Sequence, residues 1–257
     1  VATPPQAPPS PAAAARITWR LATVAEVVDE TPHARTLLLD VPDWPGHRAG
    51  QHLDVRLTAE DGYQAERSYS IASAPEDPRV ALTVERIDDG EVSPYLAGDV
   101  VAGDQFEVRG PIGGHFTWRA EDGGPLLLVA GGSGLVPLMA MLRHRAAAGS
   151  MADTRLLLSA REWEAVLYRD ELGRLASGGD GLGITYTLTR SQPAAWPGYA
   201  RRVDAEMLTA VGPAAAAAPH VFVCGPTPFV ESAADALVGL GHTADAIHTE
   251  RFGPTGG

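Results

Sequence analysis

The chain has 257 residues, 45% of them hydrophobic and 20% charged, with a formal net charge of −12 and a single cysteine, Cys224. That length supports two domains with separate cores, while one thiol excludes internal disulfides, a four-cysteine zinc site and a self-held iron–sulfur cluster. All 20 basic residues are arginine, which excludes Schiff-base chemistry and a Walker-type phosphate loop, and the acidic balance argues against a nucleic-acid partner.

Residues 1–15, VATPPQAPPSPAAAA, are Pro/Ala-rich with nothing to bury and read as a disordered tail. From Ile17 to about Arg109 the chain runs in short β-rich segments: ITWRLATVAEVV, ARTLLLDV, HLDVRLT, RSYSIAS, VALTVERI and QFEVRG. Turn residues such as Pro42, Pro45 with Gly46, and Asp61 with Gly62 separate them, so residues 16–120 are expected to form a small antiparallel β-barrel. One short helix is expected around Ser93 to Ala97.

Within the barrel, Arg67-Ser68-Tyr69-Ser70 alternates along a strand, so Arg67 and Tyr69 share one face and Ser68 and Ser70 the other. An arginine holds phosphate bidentately and a tyrosine ring stacks on a planar heterocycle. Downstream, Gly90-Glu91-Val92-Ser93 offers backbone N–H groups to a second phosphate. Gly110-Pro111-Ile112-Gly113 forms a rigid turn near the domain boundary.

After Pro125 the rhythm changes to strand and helix by turns. The stretch Pro125 to Leu142, PLLLVAGGSGLVPLMAML, reads as buried strand, glycine turn and helix. Gly131, Gly132 and Gly134 allow a sharp turn and close approach to a ligand, Pro137 is tolerated in the first helical turn, and the exposed N–H groups suit a pyrophosphate. The spacing from Gly132 is G-x-G-x-x-P and not the G-x-G-x-x-G of dinucleotide folds. Further strands are expected near 154–160, 183–189, 220–224 and 246–251, with helices at 136–148, 163–176, 202–211 and 227–240. Residues 121–257 are therefore expected to be an α/β domain with a parallel five-stranded sheet. No apolar run approaches the roughly 20 residues needed to span a bilayer, and no charged segment leads into an apolar one at the start, so a cytoplasmic protein without membrane contact is expected.

Taken together these residues resemble the ferredoxin:NADP reductase family, in which a flavin-binding antiparallel barrel precedes an NADP-binding domain. The matching segments are Arg67 to Ser70, Gly90 to Ser93, Gly110 to Gly113, Gly131 to Pro137, Cys224-Gly225-Pro226 and Glu250-Arg251-Phe252, in the family's order. The resemblance implies FAD as bound cofactor, NADP(H) as hydride donor and no metal. It places Arg67 on the FAD pyrophosphate, Tyr69 against the isoalloxazine and Ser70 near flavin N5. Ser68 goes with this strand, Val84 and Glu85 lie along the ribityl and adenosine side, and Glu91, Val92 and Ser93 present backbone to the pyrophosphate. Gly132 and Gly134 belong to the cofactor-binding turn, and Ser133 between them sits where the family contacts both dinucleotides. Cys224, followed by Gly225 and Pro226, packs beside nicotinamide C4, and Glu250 completes a hydrogen-bonded group with Ser70. Ser70, Cys224 and Glu250 are thus the catalytic candidates. Phe252 is the candidate flavin cover, although Gly253 to Gly257 follow it where many relatives end on an aromatic residue.

For the nucleotide, Arg161 and Thr189-Arg190 at two strand ends, with Arg202 opening the next helix, favour a ribose 2′-phosphate and hence NADPH; Glu162 beside Arg161 keeps NADH open. No appended cluster domain is expected, and electrons are expected to leave to a separate acceptor, a ferredoxin or flavodoxin, from a monomeric reductase. A small acceptor such as free flavin, quinone or ferric chelate, and a non-catalytic flavin-binding or dinucleotide-sensing subunit, are the alternatives.

Overall fold

A computed structural model describes residues 17–253; the Pro/Ala-rich segment expected to be a tail lies outside them, as do residues 254–257. The first sheet is antiparallel and built from six strands: β1 (Trp19–Thr31), β2 (Ala34–Asp40), β3 (His52–Thr58), β4 (Gln64–Ser70), β5 (Val80–Glu85) and β6 (Gln105–Ile112). Their order is β4-β3-β6-β1-β2-β5. The outer strands β4 and β5 meet at one bridge, Ile71 to Leu82, which closes the barrel. The alternation of side chains drives this closure, since Leu37, Leu39, Leu53, Val55, Leu82 and Val84 all point into one buried core. The short helix expected around Ser93 to Ala97 is present: it starts at Ser93 and widens over Tyr95–Asp99, with Val92 and Leu96 anchoring it in that core.

The second sheet is parallel, with β7 (Leu126–Gly131), β8 (Thr154–Ala160), β9 (Leu182–Leu188), β10 (His220–Pro226) and β11 (Ile247–Phe252) in the order β11-β10-β7-β8-β9. Helices α1 (Leu135–Ala147), α2 (Arg169–Ala176), α3 (Ala205–Val211) and α4 (Thr227–Gly239) cover it. β7 is buried throughout, as a strand covered on both faces must be.

Two helix starts differ from expectation. In place of a helix from 163, a short turn at Trp163–Ala165 is followed by an extended Val166, and α2 begins only after Tyr168, which is left-handed at φ 52°. Tyr168 stays there because its ring is buried and its hydroxyl donates to Thr83 of the barrel, so tertiary packing overrides helix propensity. Helix α3 starts at Ala205, not 202, because Asp204 caps it by accepting from the Met207 N–H at 2.8 Å. Arg202 therefore lies in the preceding loop.

The two sheets are joined by side chains as well as by chain. Phe116 meets Phe222 edge-on at 5.3 Å and Trp118 meets His144 at 5.6 Å. Arg143 of α1 donates to the Ala72 carbonyl at 2.8 Å and to both oxygens of Glu171, while His144 Nδ1 lies 2.7 Å from Glu76. These contacts hold the segments that follow β4 and β6 against α1, α2 and β10, and the carboxyl edge of the parallel sheet meets the start of β3.

Candidate active site

At that edge the last residues of β10 and β11 are in register, Cys224 beside Glu250 and Pro226 beside Phe252. Cys224 is buried, and burial, reinforced by the Glu250 carboxylate, pushes its thiol well above the usual range. It is a small apolar wall, not a nucleophile. Glu250 is three-quarters covered and its carboxyl is pushed up to about 7 by burial. Its Oε2 is buried without a hydrogen-bond partner.

Facing Glu250 from the barrel is His52, whose Nδ1 lies 3.8 Å from Oε1. His52 opens β3 and pairs with Ser70 on one side and Ile112 on the other. Burial lowers its basicity, partly offset by Asp54. The expected hydrogen bond between Ser70 and Glu250 is therefore not formed: the histidine stands on the strand next to Ser70 and takes the position facing the acid. Gly113 passes beside this ring; its φ of +96° is what calls for glycine, since a Cβ there would only touch Nδ1 at 3.4 Å. Sequence reasoning missed His52. One histidine opening an alternating strand looks like any other, and only the pairing of β3 with β4 puts it beside Ser70.

On β4, Tyr69 is half-buried against the barrel core and burial keeps its hydroxyl protonated far above neutrality. Arg67, on the same face, is half-exposed and its Nη2 contacts Glu91 Oε2 at 2.5 Å. Ser68 points the other way and donates to Asp54, which also accepts from Arg109. Its hydroxyl belongs to a polar network with Asp54 and Arg109, on the same strand face as Ser70 and His52. Val84 and Val92 are core side chains, and the Ser93 hydroxyl accepts from the Ile87 N–H at 3.1 Å. Those three residues could therefore meet a ligand only through backbone. Glu85 is exposed at the end of β5.

The glycine turn after β7 divides into two roles. A Cβ on Gly134 would lie 2.2 Å from the Cys224 carbonyl oxygen, and one on Gly131 or Gly225 would strike the Phe229 ring at 2.8 Å. These glycines let strands and helices approach each other, a packing role that the sequence does not show. Gly132 alone has a left-handed φ of +56° with open space around it, next to the half-exposed Ser133. Phe252 is 38% exposed.

At the far side of the same edge, Arg190 N–H donates to the Arg161 carbonyl at 2.9 Å and Thr189 to that of Ala160. The segment around Tyr199 runs parallel beside β9, bridged at Thr187, so Arg202 approaches the same corner. Arg161, Arg190 and Arg202 are exposed. The neighbouring Arg201 is instead tied to Asp204 at 2.7 Å and Glu206 at 3.1 Å.

A flavin dinucleotide fits these residues on three observations: an exposed guanidinium and a half-buried tyrosine on one strand face, an unpartnered buried carboxyl oxygen where the sheets meet, and an open left-handed glycine. No group of three or more metal-ligating side chains occurs among the described residues. No described helix is long and apolar enough to cross a membrane.

Comparison with known proteins agrees with this layout. Residues 22–118 match the oxidoreductase FAD-binding domain and residues 128–235 the oxidoreductase NAD-binding domain. The chain is 37% identical over 210 residues to ferredoxin--NADP reductase B of Sorangium cellulosum, covering 79% of this chain and 84% of that protein. It is 31% identical over 248 residues to the glycine betaine monooxygenase reductase subunit of Pseudomonas aeruginosa, covering 93% of this chain but only 66% of that one. Among solved structures, the Amycolatopsis cytochrome P450 reductase superposes with a TM-score of 0.80 at 27% identity, over 93% of this chain and 71% of that one. A Neisseria gonorrhoeae ferredoxin NADP+ reductase with bound FAD and NADP shares the fold, with a TM-score of 0.78 at 20% identity over 91% of this chain and 98% of that one. On the domain matches and the Sorangium relative together, the chain belongs to the ferredoxin:NADP reductase family of FAD- and NAD(P)-binding oxidoreductases.

Proposed function

We propose that this chain is a reductase that takes hydride from NADPH and passes the electrons to a separate carrier protein of ferredoxin or flavodoxin type. The observation that carries the reading is Glu250, a buried carboxyl raised to about 7, held with Cys224 and His52 where the flavin and nicotinamide domains meet. FAD, when bound, supplies the exchange between a two-electron donor and one-electron acceptors.

The chain's own residues supply the rest. Arg67 and the Glu91–Ser93 backbone hold the diphosphate, and Tyr69 offers a flat face for stacking. Gly132 and Ser133 receive the nicotinamide dinucleotide beside the Cys224 wall, which keeps water from the reacting rings. Ser70 and Glu250, with His52 between their strands, hold and move a proton at the edge of the site. Near neutrality Glu250 is half protonated and can act in either direction. Arg161, Arg190 and Arg202 favour a 2′-phosphate. The chain acts as a monomer, with residues 16–120 and 121–257 as its two domains.

The relatives named above as a monooxygenase reductase subunit and a ferredoxin--NADP reductase support a protein acceptor. Steady-state rates with a panel of ferredoxins, a flavodoxin, free FMN and a quinone test this. A carrier protein reduced much faster than any small acceptor is expected; free flavin or quinone reduced as fast would move the assignment to a small-acceptor reductase. No NADPH oxidation with any acceptor would leave a non-catalytic flavin-binding subunit.

A further inference from the structure

Arg67 does not stand free: its guanidinium is held by Glu91 at 2.5 Å, and the other oxygen of that carboxylate accepts from the Tyr63 hydroxyl at 2.6 Å. The loop carrying Glu91 is fixed on both sides. A Cβ on Gly90 would stand 2.9 Å from the Ser93 hydroxyl and 3.0 Å from the Ile87 carbonyl, so the turn is tight. Val92 is buried in the barrel core and the Ser93 hydroxyl is tied to the Ile87 backbone. Ordinary surface ion pairs join two freely moving side chains. Here the backbone under the acid is pinned, and a second hydrogen bond fixes the carboxylate.

A carboxylate and a phosphate present similar paired oxygens to a guanidinium. We propose that Glu91 is a built-in competitor for the flavin diphosphate, occupying Arg67 in the empty protein and having to leave it when FAD binds. The proposal rests on the assignment of Arg67 to the diphosphate. Two consequences follow from charge. FAD binds more weakly than Arg67 alone would allow, because a bound contact must first be broken. The displaced carboxylate also stays near a doubly negative diphosphate, which favours release. Glu91 thereby sets how readily this reductase exchanges its flavin, and its effect is confined to ligands that carry phosphate.

The test is equilibrium binding to apoprotein, read by flavin fluorescence, with FAD and with riboflavin, which has the ring but no phosphate. Glu91→Gln keeps the size of the side chain and its link to Tyr63 while removing the charge. The expected result is FAD bound at least fivefold more tightly than by wild type, with riboflavin affinity unchanged, and the same direction in Glu91→Ala. Arg67→Ala should weaken FAD at least tenfold. If Arg67→Ala weakens FAD but neither Glu91 variant tightens it, or if riboflavin tightens equally, the competitor role is overturned and the diphosphate assignment stands. If Arg67→Ala leaves FAD affinity unchanged, the diphosphate assignment itself fails.

Discussion

His52 Nδ1 and Glu250 Oε1 stand 3.8 Å apart, one from the first residue of a barrel strand and the other from the last strand of the parallel sheet. Burial lowers the basicity of the histidine and raises the acid to about 7, so at neutral pH neither supplies the other with a full counter-charge. The folded protein therefore holds a proton on Glu250 over a range where the unfolded chain has lost it.

That difference predicts a stability slope. The usual value for this carboxyl is 4.5 and the folded value is about 7; between them the native state binds more protons, so stability falls as pH rises and levels off above 7. The effect is at most about 3 kcal/mol, from roughly 1.36 kcal/mol per pH unit. Urea unfolding of the apoprotein between pH 5 and 8 measures it. Glu250→Gln should flatten the slope and be the more stable protein at pH 8; an unchanged slope would place the carboxyl in water.

Flavin reduction separates chemistry from binding. Ser70→Ala and Glu250→Ala should each keep bound FAD yet slow the stopped-flow reduction by NADPH, since neither residue is placed on the phosphates. The turnover profile of the wild type should bend near pH 7, and the bend should vanish in the Glu250 variant. Unchanged reduction in both variants would assign them a structural role.

The glycine turn makes a paired prediction. Gly134→Ala forces a methyl group into the Cys224 carbonyl, 2.2 Å away, and should cost about 3 kcal/mol in unfolding free energy or prevent folding. Gly132→Ala meets no atom but must keep φ at +56°, costing about 1 kcal/mol. Thermal melts distinguish them. Equal losses would mean that the turn relaxes as a unit.

Nucleotide choice should depend on which arginines are uncommitted. Arg161→Ala and Arg190→Ala should each raise the Michaelis constant for NADPH about tenfold, as expected from losing roughly 1.5 kcal/mol of charged hydrogen bonding. NADH kinetics should barely change. Arg201→Ala, already paired with Asp204 and Glu206, should do much less. Equal loss with both nucleotides would show that these residues do not read the phosphate.

The sequence by itself determined the two-part architecture, because period-two alternation and strand–helix alternation are local properties of the residues. It also marked Arg67, Tyr69, Cys224 and Glu250, whose residue types in order carry the family resemblance. What only the tertiary structure decided is which groups face each other. His52 joins Glu250 because β3 lies beside β4 and the domains close on each other. Ser68 is tied to Asp54, and through it to Arg109, because β4, β3 and β6 lie side by side. Tyr168 delays a helix because its hydroxyl reaches Thr83 in the other domain, and Gly134 has no room for a side chain because the Cys224 carbonyl lies against it. In each case the deciding contact joins residues distant in sequence, and local propensity carries no information about such a partner.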